Sequence, residues 1–143
     1  MPRPPEDTEL RTMIRDAKLR ATNPRVAVLR LLHGISAPAS HPEIYEALRN
    51  DGYDRATLFR NLVDLTNAGL LRKRDLGDRL WRYELASVSG DSSDHPHFLC
   101  IVCGDVSCLP GIAMSVPDGT VPRALRNGHV EIQFRGTCDA CLD

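Results

Sequence analysis

Residues 95–104 read HPHFLCIVCG and residues 138–141 read CDAC, and these two stretches decide the fold of the C-terminal part of the chain. Each contains one Cys-x-x-Cys pair. Two such pairs can supply four thiolates to a single tetrahedral ion, most often zinc. We therefore predict a structural zinc site, with iron in a rubredoxin-like site as the alternative metal and two disulfides as the metal-free alternative. Its sulfur ligands are Cys100, Cys103, Cys138 and Cys141.

A second group of ligand-type residues lies next to the first cysteine pair. His95 and His97 are two positions apart, so on a strand both would face the same side of a sheet. Cys108 falls on the following predicted strand, and Glu84 ends the hairpin before the expected hinge. Two nitrogens, a thiolate and a carboxylate suit zinc, while other divalent ions remain alternatives. The competing interpretation treats the histidines as surface residues and Cys108 as a core filler.

Composition and charge limit the kinds of protein that this chain can be. At 143 residues it can bury one core or two small ones, and no run of residues approaches the length of a membrane span. The N-terminus lacks the apolar stretch of a signal peptide, and an odd number of clustered cysteines fits a reducing cytoplasm. Residues 1–86 hold 15 basic and 12 acidic residues, whereas residues 87–143 hold 3 and 7. We expect only the first part to meet a polyanion.

Apolar periodicity predicts several helices and a hairpin in the first part of the chain. The helices are expected at 9–20, from 23 to 34, from 40 to 52 and from 54 to 67. Residues 70–85 read as a basic β-hairpin. This order of elements is typical of a winged helix-turn-helix.

The remaining residues suggest a hinge and a second, smaller domain. Residues 87–94 are mostly Ser, Gly and Asp, so we predict a hinge there. The domain boundaries are then 1–86 for the winged helix, with 1–8 disordered, and 95–143 for the metal-binding part. Short strands near 97–101 and 105–109, a helix near 121–127 and a strand at 130–134 complete the expected α+β fold.

We expect the fourth helix to be the DNA-recognition helix, because the second helix of a helix-turn-helix enters the major groove. An arginine there can bind guanine or a phosphate, and a phenylalanine can contact a thymine methyl group. The alternative is that the phenylalanine is buried in the core and the wing arginines form a solvated surface. The predicted DNA-contacting residues are Thr57, Phe59, Arg60, Asn61, Arg72, Lys73 and Arg74.

Taken together, these motifs resemble the ferric uptake regulator family over about residues 10–143. The matching stretches are ATNPR at 21–25, PEIYEAL at 42–48, TLFRNL at 57–62, NAGL at 67–70, HPHFLCIVCG at 95–104 and GTCDAC at 136–141. The resemblance implies a homodimeric, metal-responsive DNA-binding repressor. It also implies an N-terminal winged helix and a small C-terminal α/β dimerisation domain with a four-cysteine zinc.

The chain departs from the family pattern at several positions. Phe59 stands where the family usually has tyrosine, and Pro38 where a metal-binding histidine commonly lies. Cys108 replaces an acidic ligand, and Asp94 replaces the first histidine of a run found in some members. Glu84 matches the family's carboxylate at the domain junction. Whether the other histidines, His33, His41 and His129, join a metal site is left open by the sequence.

From these observations we expect a cytoplasmic, zinc-sensing homodimeric repressor that binds an operator in double-stranded DNA and does not contact a membrane. The regulatory ligands are then Glu84, His95, His97 and Cys108, with zinc preferred over iron, manganese or nickel because of the thiolate. Within the same family, a peroxide or redox sensor and an iron or manganese sensor are the alternatives. A zinc hydrolase with Glu84 as base, or a rubredoxin-like electron carrier, would leave the winged helix unexplained, so we predict a protein that is not an enzyme.

Overall fold

The chain divides into two units, Met1–Ala86 and Ser87–Asp143, and each is described by itself. The structure is a computed structural model. It describes residues 3–86, 96–109, 111–112, 119, 121–126 and 132–142.

Helices make up most of the first unit. Its helices and strands, in chain order, are α1 (Asp7–Asp16), α2 (Asn23–His33), β1 (Ala39–Ser40), α3 (His41–Ala47), a 3-10 turn (Arg49–Asp51), α4 (Arg55–Asn67), β2 (Leu71–Asp75) and β3 (Trp81–Leu85). The predicted helices are confirmed with shifted ends. The first begins at Asp7, so the prediction that residues 1–8 are disordered is wrong for residues 7–8. It also ends earlier than expected, and Lys18 adopts a left-handed φ of 67° just after it.

Local capping residues determine where α3 and α4 begin. The Ser40 hydroxyl accepts from the Glu43 backbone N–H at 3.3 Å and donates to the Glu43 carboxylate at 3.0 Å, so Glu43 reaches back to the cap hydroxyl. Asp54 caps α4 by accepting from the Thr57 backbone N–H at 2.6 Å. These bonds satisfy backbone donors that a helix start would otherwise leave without a partner.

One apolar core holds the first unit together. Leucines of α4 at positions 58, 62 and 65 are fully buried against residues of α1 and α2, which include Ile14 and Leu29. The spacing of these leucines places them on one stripe of the helix, so the opposite face is left for solvent or a ligand.

The wing is a three-stranded antiparallel sheet with the order β1-β3-β2. Its first strand, Ala39–Ser40, was not predicted, because two residues are too short to show a period. The hairpin prediction is confirmed with shifted ends: Lys73 lies opposite Tyr83, and Arg74 lies opposite Arg82.

The second unit contains a small mixed sheet. Its helices and strands are β4 (His97–Cys100), β5 (Val106–Cys108), α5 (Arg123–Arg126), β6 (Gln133–Gly136) and a 3-10 turn (Asp139–Cys141). The central strand β4 pairs antiparallel with β5 and parallel with β6. The last strand lies further along the chain than predicted, and residues 127–131, where it was expected to begin, lie outside the described part.

Candidate metal centre and nucleic-acid interface

The two cysteine pairs meet at one end of the second unit's sheet. Cys100 is the last residue of β4 and lies opposite Gly136, the last residue of the parallel strand β6. The two strands therefore end at the same end of the sheet. Cys138 follows two residues later. The parallel pairing of β4 and β6 therefore brings the two cysteine pairs together at one end of the sheet.

The four sulfur atoms are close enough to hold one ion. The four Sγ atoms lie within 4.8 Å of one another. Cys103 Sγ and Cys138 Sγ are 3.8 Å apart, close to the roughly 3.8 Å expected between sulfurs of a tetrahedral zinc site with Zn–S bonds of about 2.3 Å. The cluster therefore fits a tetrahedral ion without rearrangement of this sulfur pair.

The Sγ atom of Cys100 accepts two hydrogen bonds from backbone N–H groups. The backbone N–H groups of Cys103 and Cys138 donate to Cys100 Sγ at 3.5 and 3.4 Å. These bonds lower the pKa of the Cys100 thiol to about 6. Gly104 supports the turn with a φ of 78°, in the left-handed region that glycine adopts without steric cost.

Four negative charges cannot share this volume without a cation. Hydrogen bonds with the side chains of Cys138 and Cys103 favour the protonated thiol of Cys141 and raise its pKa to about 12, and the charge of Cys100 makes a smaller contribution in the same direction. A bound divalent ion would reverse that preference and displace the proton. The donor set and its electrostatics therefore fit a structural metal ion.

Two of the four predicted regulatory ligands are neighbours on the sheet. His97 lies opposite Cys108 in the antiparallel register of β4 and β5, so both side chains belong to the same face. His97 is buried at 4 % exposure, and Cys108 is half-buried. Pro96 immediately precedes the central strand β4, so its missing N–H costs the sheet no hydrogen bond.

Of the other two predicted ligands, the structure describes only Glu84. Glu84 lies on β3 of the first unit, and its carboxylate forms an ion pair with the Arg74 guanidinium. His95 and His129 lie outside the described residues. Within the described part of the chain, His33 and His41 belong to no group of three or more ligand-type side chains close enough to hold an ion. Burial lowers the pKa of His33.

The exposed face of α4 differs in part from the predicted contact set. Phe59 is 49 % exposed and Arg60 is exposed, so the core alternative for Phe59 is wrong. Val63, one turn further on, is also exposed and was missed. The i, i+4 spacing from Phe59 could have identified it.

Two predicted contacts on α4 are engaged by other side chains of the first unit instead. Asn61 is only 7 % exposed, because Arg25 of α2 donates from Nε to Asn61 Oδ1 at 3.2 Å. The same guanidinium forms an ion pair with Asp64 at 2.8 Å. The half-buried Thr57 donates from its hydroxyl and backbone N–H to the capping carboxylate of Asp54 and so lowers its pKa.

A histidine supports the exposed phenylalanine. The His41 ring lies 5.5 Å from the Phe59 ring, measured between centroids, and is tilted by 53°. His41 Nε2 is also 3.0 Å from the backbone oxygen of Arg55, which requires the tautomer protonated at that nitrogen. His41, the first residue of α3, therefore contacts both the first residue of α4 and its exposed phenylalanine.

The wing arginines also depart from the prediction. Arg74, expected to contact DNA, is buried and paired with Glu84. Arg72 is half-buried, and Lys73 is exposed with its Nζ 4.1 Å from the Trp81 ring centroid. The sequence could not separate these cations, because all of them lie on one short basic strand.

A buried ion pair stabilises the wing, and its contribution should depend on pH. Arg82, 1 % exposed, donates through both terminal nitrogens to the Asp78 carboxylate at 2.9 Å, and this hydrogen bonding lowers the pKa of Asp78. A lowered folded-state pKa means stability that is present above the ordinary value of 3.8 and lost as the pH falls through the folded value.

Asp78→Asn is therefore expected to reduce the free energy of unfolding by roughly 1–2 kcal/mol at neutral pH. The difference from the wild type should shrink as the pH falls below 3.8, measured by denaturant unfolding at several pH values. Glu46→Gln, which removes an exposed ion pair at 3.5 Å, serves as the control and should change little. A deficit for Asp78→Asn that persists undiminished in acid would contradict the assignment.

A winged helix followed by a sheet unit with a four-thiolate cluster defines a class of metal-binding transcription regulators. The comparison with known families agrees with this class. The sequence model of the ferric uptake regulator family matches residues 16–110, and the chain belongs to that family.

Similar proteins span nearly the whole chain. Ferric uptake regulation protein 2 of Mycolicibacterium fortuitum is 31 % identical over 139 residues, covering 93 % of this chain and 92 % of the relative. The peroxide-responsive repressor PerR of Staphylococcus aureus is 26 % identical, with coverage of 91 % and 87 %. The solved Helicobacter pylori ferric uptake regulator, described as having three functional metal binding sites, superimposes with a TM-score of 0.66 at 17 % identity, covering 100 % of this chain and 98 % of that one.

The chain is therefore a metal-responsive, DNA-binding transcription regulator of this family. Its fold, an N-terminal winged helix with a small C-terminal α/β unit, is the one predicted from the sequence. No helix within the described residues combines the length and the apolar character needed to cross a membrane.

Proposed function

We propose that the protein is a cytoplasmic homodimeric repressor that senses zinc and binds an operator in double-stranded DNA. The observation that carries the zinc assignment is the pairing of His97 with Cys108 on neighbouring strands. An imidazole and a thiolate are typical zinc ligands, whereas manganese prefers oxygen ligands such as carboxylates, carbonyls and water. The proposed role is regulatory rather than enzymatic, as for the family to which the chain belongs.

Two ions have separate roles in this proposal. The four cysteines would hold a structural zinc ion permanently, because a tetrathiolate site is closed to other ligands. His97 and Cys108, together with His95 and Glu84, would hold the exchangeable regulatory ion. A divalent ion supplies a cross-link between side chains from distant parts of the sequence. Residues of both units would then restrain the winged helix in a DNA-binding arrangement.

To bind the regulatory ion, the Glu84 carboxylate must either bind Arg74 and the ion together or separate from Arg74. Its carboxylate is engaged by Arg74, and both side chains are largely shielded from solvent. Glu84 also lines a cavity of about 150 Å³ with Leu32, Ile35 and Ala37. A positively charged guanidinium beside a cation site weakens cation binding, so the Arg74 pair would raise the metal concentration at which the protein responds.

Exposed apolar side chains of the second unit support the homodimer. Phe134 lies on the edge strand β6 and is more than one-third exposed, and Ile112 is similarly exposed. The second unit buries few apolar side chains by itself within its described residues, namely Pro96, Leu99 and Cys100. A second copy of the chain would cover such surfaces, as in symmetric homodimers.

His97→Ala is expected to abolish the metal-dependent gain in operator affinity while the tetrathiolate zinc is retained. That gain should be roughly 5–150-fold, the range of a typical coupling of 1–3 kcal/mol between two sites. The probe is a duplex selected from a random-sequence library by the zinc-loaded wild type. Operator affinity is then titrated against zinc, iron, manganese and nickel, with zinc giving the half-maximal response at the lowest free concentration.

The matched control for this experiment is Ser107→Ala. Ser107 precedes Cys108 on β5, is exposed and lies on the opposite face of the sheet, so its loss should leave the response intact. A His97→Ala protein with the full metal response would show that the regulatory site is misplaced. A wild type that binds DNA equally at all metal concentrations would overturn the sensing role itself.

A peroxide-responsive regulator is the second candidate. The similarity to PerR of Staphylococcus aureus favours it, as does the half-buried thiol of Cys108, which is oxidisable in principle. Repeating the operator titration with peroxide separates the two functions. Loss of DNA binding at low peroxide, restored by a reductant, would favour the redox role. An unchanged zinc response would favour the zinc sensor.

A further inference from the structure

The wing carries an exposed aromatic side chain that the core does not use. Trp81, the first residue of β3, is 50 % exposed and is the chain's single tryptophan. Of the buried side chains of the same hairpin, Leu71 and Tyr83 belong to the apolar core. A half-exposed aromatic side chain among charged residues can indicate a binding surface, because packing in the core does not explain its presence there.

A cation lies directly over this indole. Lys73 Nζ is 4.1 Å from the Trp81 ring centroid, within the range of a cation–π interaction, and Lys73 is exposed. The pair presents one flat apolar surface and one ammonium group side by side. The backbone of nucleic acids has the matching alternation, with an apolar sugar ring next to each phosphate.

The remaining charges of the wing favour an anionic partner. Residues 72–82 contain five basic and two acidic side chains. Arg74 and Arg82 are buried in ion pairs, so Arg72, Lys73 and Arg79 are the basic side chains that remain outside these pairs. Of the acidic ones, Asp78 is engaged by Arg82, and Asp75, opposite Trp81 in register, accepts from the Gly77 backbone N–H at 2.9 Å. Arg79 is exposed in the turn between the strands.

We propose that Lys73 and Trp81 form a DNA-contacting surface, in which the indole packs against deoxyribose and the ammonium binds the adjacent phosphate. The inference rests on the proposed function, since it concerns the same operator duplex, and it adds contacts that α4 does not supply. It also replaces Arg74 as the wing contact, because that arginine is buried and paired. Protein–DNA interfaces obtain much of their affinity from such backbone contacts, and apolar side chains at the minor groove are a recurrent part of them.

The single tryptophan makes a direct test feasible with the unmodified protein. Metal-loaded wild type is titrated with the selected duplex, and binding is followed in parallel by gel shift and by tryptophan emission. We expect the emission of Trp81 to change with the same midpoint as the gel shift. An emission unchanged at full saturation of DNA binding would overturn the proposal, while the proposed function would stand. Absence of any metal-dependent gel shift would instead be a failure of the proposed function.

Variants separate the two parts of the contact. Trp81→Ala should weaken operator binding about tenfold, as for loss of one aromatic stacking contact, and Trp81→Phe should restore most of it. Lys73→Gln should lower the slope of log affinity against log salt by about 0.9, the value for one phosphate contact. Leu80→Ala, an exposed apolar neighbour, is the matched control and should bind like the wild type.

Two further outcomes would refute the inference. Equal weakening by Leu80→Ala and Trp81→Ala would indicate a general disturbance of the hairpin, and an unchanged salt slope in Lys73→Gln would exclude the phosphate contact. Thermal unfolding of each variant checks that the half-exposed positions leave the fold intact. If DNA is without effect on Trp81 emission but an acidic peptide such as polyglutamate shifts it, the surface binds protein instead.

Discussion

Cys138→Ser is expected to remove one equivalent of zinc and to unfold the second unit while the first unit remains folded. Cys138 is a member of the four-sulfur cluster, and its Sγ is 3.8 Å from that of Cys103. A serine oxygen is a poor replacement for a thiolate in zinc ligation. We expect zinc affinity to fall by more than about 100-fold, the upper range seen when only an outer-shell partner of a metal ligand is changed.

The size of the effect follows from how little else stabilises this unit. Among its described residues, the buried side chains are Pro96, His97, Leu99 and Cys100, and one of these is itself a member of the cluster. The first unit instead packs fifteen buried residues into one apolar core. In small domains with few buried apolar groups, the free energy of metal binding is a large part of the free energy of folding.

Metal analysis and limited proteolysis measure the two parts of this prediction. Loss of one zinc equivalent should accompany rapid cleavage within 87–143, while Trp81 emission, which reports on the first unit, stays as in the wild type. Cys108→Ser is the matched control, because Cys108 lies on β5 outside the four-sulfur group. Because Cys108 is a proposed ligand of the exchangeable ion, zinc is counted after exchangeable metal has been dialysed away, and this variant should then keep the structural zinc and its protease resistance. Full zinc content in Cys138→Ser would refute the tetrathiolate assignment.

Leu58→Ala and Phe59→Ala are expected to have opposite effects although the two residues are adjacent on α4. Leu58 is fully buried, so its truncation should cost about 2–5 kcal/mol of the free energy of unfolding through lost burial and a residual cavity. Phe59 is 49 % exposed, so its truncation should cost less than about 1 kcal/mol. The same change should weaken operator binding by about 1–3 kcal/mol, the range for one specific base contact.

Denaturant unfolding and operator titration of both proteins test this pair. The leucine variant should show a lower unfolding midpoint, and at low temperature, where it is still folded, it should bind DNA nearly normally. The phenylalanine variant should show the reverse. Equal operator affinity of Phe59→Ala and the wild type would remove Phe59 from the DNA interface.

Much of the metal centre could be predicted from the sequence because its determinants are local. A Cys-x-x-Cys pair places two sulfurs on one tight turn, whatever the rest of the chain does. Capping at Ser40 and Asp54 is similarly local, and so the helix starts were predicted to within a residue. Helical periodicity then separated the buried leucines of α4 from its other face.

Which of the predicted DNA-contact residues are exposed depends on long-range partners, and the sequence predicted this only in part. Asn61 is withdrawn from the surface by Arg25, which is 36 residues away in sequence. Arg74 is withdrawn by Glu84 across the hairpin, whereas its neighbour Lys73 stays exposed beside Trp81. Nothing in the local pattern of a basic strand distinguishes a paired arginine from a lysine in solvent.

The sequence by itself therefore determined the class of protein, the four sulfur ligands and the order of helices and strands, because spacing along the chain controls all three. Only the tertiary structure decided that the two cysteine pairs share one sheet edge, that His97 lies opposite Cys108, and which cations remain exposed on the wing. Those outcomes depend on strand register and on ion pairs between residues far apart in the chain. Both arise only when the chain has packed.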